Sequence, residues 1–258
     1  MSANLSETKI GFLGLGKMGS AIASGLKARY PAMSMLGYDP FTQSADVSAV
    51  ANASELESRS DLILLCVKPQ EMKAALAGLK GSKQYVSIAA GLGTETIRGL
   101  LGNHSARIAR VMPNLNAAVH MSATGVFCVD SDLAHLTKAI FESVGLVEFV
   151  DKEELLHAVT GLSGSGPAFV FEFLDALAQG GVLAGLPYDR ALRLATQTLL
   201  GSATLVADKG QHPLELRSAV TSPGGTTIAG LNALEKNGFR AAVMSAVESA
   251  SKRSKELS

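Results

Sequence analysis

The sequence predicts a two-part chain: an α/β domain on a doubly wound sheet, then a domain made only of helices. Three observations carry this. Short apolar runs alternate with helical patterns as far as residue 150, a glycine-rich turn follows the first run, and every periodic segment after residue 151 is helical. The division therefore falls into 1–150 and 151–258. With 258 residues, either part can bury a core of its own.

The elements follow in order. Lys9 to Leu13 is a short strand that runs into Gly14-Leu15-Gly16-Lys17-Met18-Gly19, and a helix with Ile22, Ala23 and Leu26 inward comes next. A glycine loop of this spacing between a strand and a helix is the context in which it binds dinucleotides. Gly14 makes the tight turn, Gly16 lets the backbone approach a pyrophosphate, and Gly19 lets the helix pack closely on the strand. The first part is thus an α/β Rossmann-like N-terminal domain. A second strand, Met33 to Tyr38, ends at Asp39, about 20 residues beyond the last loop glycine, where an acidic group can accept hydrogen bonds from the adenosine ribose. Such a group repels a 2′-phosphate, and no Lys or Arg lies in Pro40 to Ser44, so the residues lean towards NADH. Thr42 and Ser44 can still donate to a phosphate, which leaves NADPH open. The plainer reading of Asp39 is a turn residue before Pro40.

Asp61 to Val67 is an unbroken apolar run, the pattern of a central parallel strand, and it stops at Lys68-Pro69. Gln70 to Leu79 is a helix. Tyr85 to Gly91 is another buried strand, ending in Ala89-Ala90-Gly91, small residues against which a flat ring can lie. Thr94 to Leu101 is a helix and Ala106 to Met112 a strand, followed by strands Thr124 to Val129 and Leu146 to Val150 around a helix from Leu133 to Val144. The second part begins with a helix at Glu153 to Val159, broken by the glycine-rich Gly161 to Ala168. A long apolar helix reaches Leu186, and further helices cover Arg190 to Ala207, Leu214 to Val220, Thr226 to Leu234 and Phe239 to Arg253. Its apolar surface exceeds what a small monomeric bundle needs, so it is expected to be an all-α C-terminal dimerisation domain.

Composition excludes several classes. Lys+Arg and Asp+Glu both total 23, so no basic field exists for nucleic acid. Pro167 to Leu186 is long enough to suggest a membrane span, but it carries Glu172, Asp175 and Gln179 and reads as a helix at a subunit interface. Residues 1–9 have neither a cationic region nor a long apolar core, so no secretory signal is expected, and a cytoplasmic location is the expectation. Cys66 and Cys128 each sit alone in apolar runs and read as thiols, with no metal pattern. The five histidines are scattered; His157 and His212 alone lie near glycine-rich turns. Ser163 lacks the glycine two residues on that a nucleophile elbow needs, and its turn follows a helix.

The remaining chemistry centres on Ser222-Pro223-Gly224-Gly225-Thr226-Thr227, a loop opening into a helix. Free N–H groups at Gly225, Thr226 and Thr227, with two threonine hydroxyls, can hold a small carboxylate; the plainer reading is a well-capped helix. No lysine or histidine is placed to protonate a carbonyl. A protonated imine needs no such group, because its carbon already accepts hydride.

These residues together resemble pyrroline-5-carboxylate reductases. The glycine loop, Cys66-Val67-Lys68-Pro69, Ala89-Ala90-Gly91, Arg110-Val111-Met112-Pro113-Asn114, Thr160 to Ala168 and the Ser222 to Thr227 stretch carry the likeness. It implies NADPH or NADH as cofactor, reduction of a cyclic imine to L-proline, an intertwined homodimer, and decamers of five dimers. It also implies that Gly225, Thr226 and Thr227 hold the substrate carboxylate, with the Thr227 hydroxyl near the ring nitrogen as the catalytic contact and Ser222 lining the pocket. Val67, Lys68, Pro69, Ala89, Ala90 and Gly91 are then expected to line the nicotinamide half. One departure is Ala219, where family members often carry a polar residue close to the cofactor. Two other readings remain. A β-hydroxyacid dehydrogenase needs a lysine where this chain has Val170, and a non-catalytic NAD(P)-sensing module has no need of Ser222 to Thr227.

Overall fold

The computed structural model describes residues 5–258; the expectation about a leader rests partly on residues 1–4, outside that range. Two compact units emerge, one of residues up to Ser165 together with Glu248–Ser258, the other Gly166–Val247.

The first unit is an eight-stranded sheet: β1 (Ile10–Leu13), β2 (Met35–Tyr38), β3 (Ser48–Ala49), β4 (Leu62–Leu65), β5 (Gln84–Ser87), β6 (Arg107–Met112), β7 (Ser122–Phe127) and β8 (Gly145–Phe149). Their order across the sheet is β3-β2-β1-β4-β5-β6-β7-β8. The chain leaves β1 in one direction and returns to lay down β4 on its other side, so the switch point lies between them. All pairings are parallel except β6 with β7. That reversal was not expected. The connection from β6 is short, a 3₁₀ turn at Leu115–Val119, and too brief for a parallel crossover.

Helices α1 (Lys17–Arg29), α2 (Ala53–Arg59), α3 (Met72–Leu76), α4 (Thr94–Leu101) and α5 (Ser131–Phe141) cover the sheet. The unbroken run on β4 makes physical sense here. Leu62 and Leu64 join the core with Phe12, Ile22, Leu26 and Phe141, while Ile63 and Leu65 join Leu56, Met72, Tyr85 and Ile97 in the core of the opposite face. Each such side chain contributes about 1.5–3 kcal/mol by leaving water.

The expected glycine break after α6 (Leu155–Val159) is instead a widened helical turn, Thr160–Gly164, in which the Ser165 amide donates to the Thr160 carbonyl at 2.8 Å. The Met112 methyl lies against Gly164, 2.7 Å from where a Cβ would stand. The first compact unit thus runs past residue 150, because α6 and this turn pack against β6 and β7; a Cβ at Gly125 of β7 would meet Val159 at 2.6 Å.

The second unit holds α7 (Gly166–Leu183), α8 (Tyr188–Lys209), α9 (Pro213–Ala219), α10 (Thr226–Lys236) and the first half of α11 (Phe239–Glu256). α7 and α8 form an antiparallel hairpin, close enough that a Cβ on Gly181 would meet Ala191 at 2.9 Å. Its buried side chains are few and small, Ala178, Ala191 and Ala195 among them, while Leu183 is 92% exposed and Phe171, Leu194 and Met244 are also exposed. Among the described residues, no helix is long and apolar enough to cross a membrane.

Candidate active site

The loop between β1 and α1 is shaped by its three glycines. Gly14 has φ +98°, and a Cβ there would stand 2.9 Å from the Cys66 backbone. A Cβ on Gly19 would come within 2.4 Å of the Gly14 carbonyl, so the helix can start this close to the strand only with glycine present. Gly16 is different. It is exposed, serves as N-cap of α1 without any side-chain cap, and has nothing within 4 Å of the position a Cβ would take. The first turn of α1 also lacks an acidic residue. An open backbone and uncapped N–H groups at a helix start favour an anion, and a dinucleotide's pyrophosphate fits that description. Leu15 is buried in the loop, Met18 packs against the core, and Lys17 is exposed.

Asp39, at the end of β2, does more than expected. Its Oδ2 accepts from the Leu15 amide at 2.7 Å, and its Oδ1 accepts from the Phe41 and Thr42 amides at 2.8 and 2.9 Å. The carboxylate is therefore both a turn organiser and a tie between two loops. Burial works to raise its pKa, but the three amides outweigh burial and hold it below the usual aspartate value. A cavity of about 490 Å³ opens beside it at the ends of β1, β2 and β4, walled by Gly14, Asp39, Phe41, Ser54, Val67 and Glu71 among others.

Gly14, Asp39 and Val67 are thus brought together. Lys68 and Pro69, just after β4, and Ala89, Ala90 and Gly91, just after β5, do not line this cavity. Ala89 is buried and Ala90 exposed, and Gly91 takes φ +78° with the Leu257 main chain 3.1 Å from where its Cβ would be.

A buried polar set supports these loops. Glu153 Oε1 accepts from the Thr94 amide at 2.7 Å and from Arg110 at 3.1 Å, while the Thr94 hydroxyl donates to Oε2 at 2.9 Å. Asn114, just after β6, donates to the Ser163 carbonyl at 3.0 Å and so fixes the widened turn. Thr94 and Glu153 were not legible as site residues, because they meet across 59 positions of sequence; Phe41 was not, because no local pattern shows that it borders a cavity. His157 meets the Ser254 hydroxyl at 3.0 Å, and His212 accepts from the Leu214 amide at the start of α9; both are structural contacts. Burial pushes the Cys66 thiol up to about 12, and Cys66 and Cys128 are both free.

In the second unit, the loop between α9 and α10 closes through the Gly225 amide, which donates to the Ser222 carbonyl at 3.1 Å, and turns at Gly224 with φ +68°. The Thr221 hydroxyl is occupied by the Arg217 carbonyl at 2.7 Å. Gly225 caps α10 without a side-chain hydrogen bond, and no acidic residue stands in the first turn. The plain reading of a well-capped helix is therefore corrected: this start has no side-chain cap, and the Thr221 hydroxyl is turned back onto α9. Ala219 ends α9 and is exposed.

A bare helix start at the switch point of a mostly parallel sheet is the geometry of a dinucleotide-binding protein, and the relatives of this chain are oxidoreductases. The chain is 43% identical to the pyrroline-5-carboxylate reductase of Arabidopsis thaliana over 267 aligned positions, which cover 97% of this chain and 95% of that one. It belongs to the pyrroline-5-carboxylate reductase family. The namesake from Methanosarcina acetivorans is 42% identical, with 98% and 99% covered. A crystal structure of Plasmodium falciparum pyrroline carboxylate reductase with NADP bound matches with a TM-score of 0.88 at 32% identity, over 98% of this chain and 99% of that one. Residues 153–257 match the family described as pyrroline-5-carboxylate reductase dimerisation, and residues 9–91 match NADP oxidoreductase, coenzyme F420-dependent.

Proposed function

We propose that this chain is an NAD(P)H-dependent reductase that converts the cyclic imine 1-pyrroline-5-carboxylate to L-proline. Membership of the family over nearly the whole chain carries the reading. Neither alternative is favoured: α7 has Val170 where a β-hydroxyacid dehydrogenase needs lysine, and a sensing module does not account for the match through residues 153–257.

The glycine loop, with Gly14, Leu15, Gly16, Lys17, Met18 and Gly19, would hold the pyrophosphate, and Asp39 the adenosine side. Val67, Lys68, Pro69, Ala89, Ala90 and Gly91 would line the nicotinamide half. The bound reduced nicotinamide supplies hydride. The Thr226 and Thr227 amides would hold the substrate carboxylate at the bare start of α10, with Ser222 lining the pocket; Gly225, expected to add a third amide, spends its own on the Ser222 carbonyl and gives only an open backbone. The Thr227 hydroxyl would accept from the protonated ring nitrogen and orient the imine. Because the protonated imine carbon is already electrophilic, the chain supplies orientation in place of a strong acid.

The binding division would follow residues 1–150 and 151–258. We further propose a homodimer in which helices of the second part intertwine, a partner's helices completing each substrate site, with decamers of five dimers beyond it. The many exposed apolar side chains of the second unit support association, as does an apolar groove of about 450 Å³ lined by Phe169, Phe173, Leu177, Phe239 and Val243. Two unpaired thiols suit a reducing, cytoplasmic setting.

Purified protein should oxidise NADH or NADPH, followed by loss of nicotinamide absorbance, when pyrroline-5-carboxylate is added. It should not do so with 2-keto or 3-hydroxy acids. Absence of turnover on the imine with both cofactors would sink the assignment.

A further inference from the structure

The cavity beside Asp39 bears on which dinucleotide this chain prefers. Among the described residues that wall it are two carboxylates, Asp39 and Glu71, and no Lys or Arg. Thr42 and Ser44 do not line it; of the uncharged polar side chains that do, Ser54 already donates to the Gly78 carbonyl at 2.7 Å and Asn52 Oδ1 accepts from the Glu55 amide at 2.9 Å. The Thr42 amide is turned onto Asp39, and Ser44 Oγ accepts from the Asp46 amide at 3.3 Å. What the loop presents to the cavity instead is the Phe41 ring, 95% exposed.

The hydrogen bonding of Asp39 adds a second argument. An ionised carboxylate offers about four acceptor positions and no donor. Three are taken by the Leu15, Phe41 and Thr42 amides, which also stop the side chain from swinging aside. The vacancy that remains suits a hydroxyl, which donates. A 2′-phosphate only accepts when fully ionised, and it would bring about two negative charges towards a wall that is already anionic.

We infer that this chain prefers NADH to NADPH, with the fixed Asp39 carboxylate and the cation-free cavity wall as the determinants. This rests on the reading above that the cavity receives the adenosine half of a nicotinamide dinucleotide. It sets the chain apart from the Plasmodium falciparum relative, whose structure holds NADP.

Calorimetric titration of the full-length protein with ADP-ribose and with 2′-phospho-ADP-ribose tests it without recourse to turnover. ADP-ribose should bind at least about tenfold more tightly, a gap that corresponds to about 1.4 kcal/mol. The gap should narrow as salt is raised, since screening weakens the repulsion. Phe41→Arg replaces an exposed ring, so the fold should tolerate it, and should reduce the gap to about threefold or less by tightening the phosphorylated fragment. Equal binding, or tighter binding of the phosphorylated fragment, overturns the inference and leaves the reductase reading in place. Failure of both fragments to bind removes the cavity from the dinucleotide site and overturns the two together. An unchanged gap in the Phe41→Arg protein overturns the assignment of the determinants.

Discussion

Arg110 and Glu153 meet at 3.1 Å with side chains only 8% and 25% exposed, joining β6 to the segment that leads into α6. Glu153 also caps the start of α4 through Thr94. Deleting it therefore strands a buried guanidinium and two donors at once. Glu153→Ala should cost about 3 kcal/mol or more of stability, measured from the urea midpoint. Replacing both partners with apolar residues, Arg110→Met with Glu153→Leu, should recover much of that loss. A single variant as stable as the parent would mean the pair contributes nothing.

The same residue sets an acid limit. Burial acts to raise the Glu153 pKa, but the Thr94 amide, Arg110 and the Thr94 hydroxyl together hold it below its ordinary value. The unfolded chain then binds the proton first as pH falls. The contribution is complete above about pH 4.3 and is lost as pH drops through the lower folded value. In Glu153→Gln the acid-induced fall in melting temperature below about pH 4.3 should be shallower than in the parent.

His157 gives a separate window at higher pH. Burial lowers its pKa first, Arg110 and Lys255 lower it further, and Glu154 and Glu153 oppose them only in part. The folded protein favours the neutral ring, so its contribution is full above about pH 6.5 and is lost as pH falls from there through the folded value. Urea midpoints between about pH 7.5 and pH 5.5 should fall in the parent and flatten in His157→Gln. Identical slopes in the two proteins would show that another group titrates there.

The glycine loop separates folding from binding. Gly16→Ala meets nothing in the chain and sits at φ −63°, a value alanine accepts, so the melting temperature should hold or rise slightly. Its methyl would stand where the pyrophosphate approaches, and NADH affinity should fall at least about tenfold, or 1.4 kcal/mol. Gly19→Ala should do the reverse at the first step: its Cβ lands 2.4 Å from a backbone carbonyl, and stability should drop by about 1–3 kcal/mol. Equal stability loss in both variants would contradict this division of roles.

These contrasts explain what could be read from the sequence. The β4 run was legible because a strand buried on both faces needs apolar residues at every position, and Leu62 to Leu65 have them. The loop glycines were legible because their spacing matches a local turn. Asp39 was legible only in part: its neighbours suggested a turn, but the Leu15 amide that takes its other oxygen comes 24 residues earlier. The widened turn at Thr160–Gly164 has no local signature, since Asn114 and Met112 shape it from another strand. Nor does any local pattern reveal that Glu248–Ser258 returns to the first compact unit. β3, at two residues, is too short for a periodicity.

Thr227 tests the substrate half. It stands in the first turn of α10, half-buried, and the helix needs no hydroxyl there because Gly225 already begins it without a side-chain cap. Thr227→Ala should therefore leave the unfolding free energy within about 0.5 kcal/mol of the parent. Loss of a hydroxyl that accepts from the protonated ring nitrogen should slow kcat by about tenfold or more. NADH affinity, measured by calorimetry without substrate, should not change, and Thr227→Ser should restore most of the rate because it keeps the hydroxyl. If cofactor affinity falls and Thr227→Ser fails to rescue turnover, Thr227 belongs to the cofactor pocket and the carboxylate clamp must be sought elsewhere.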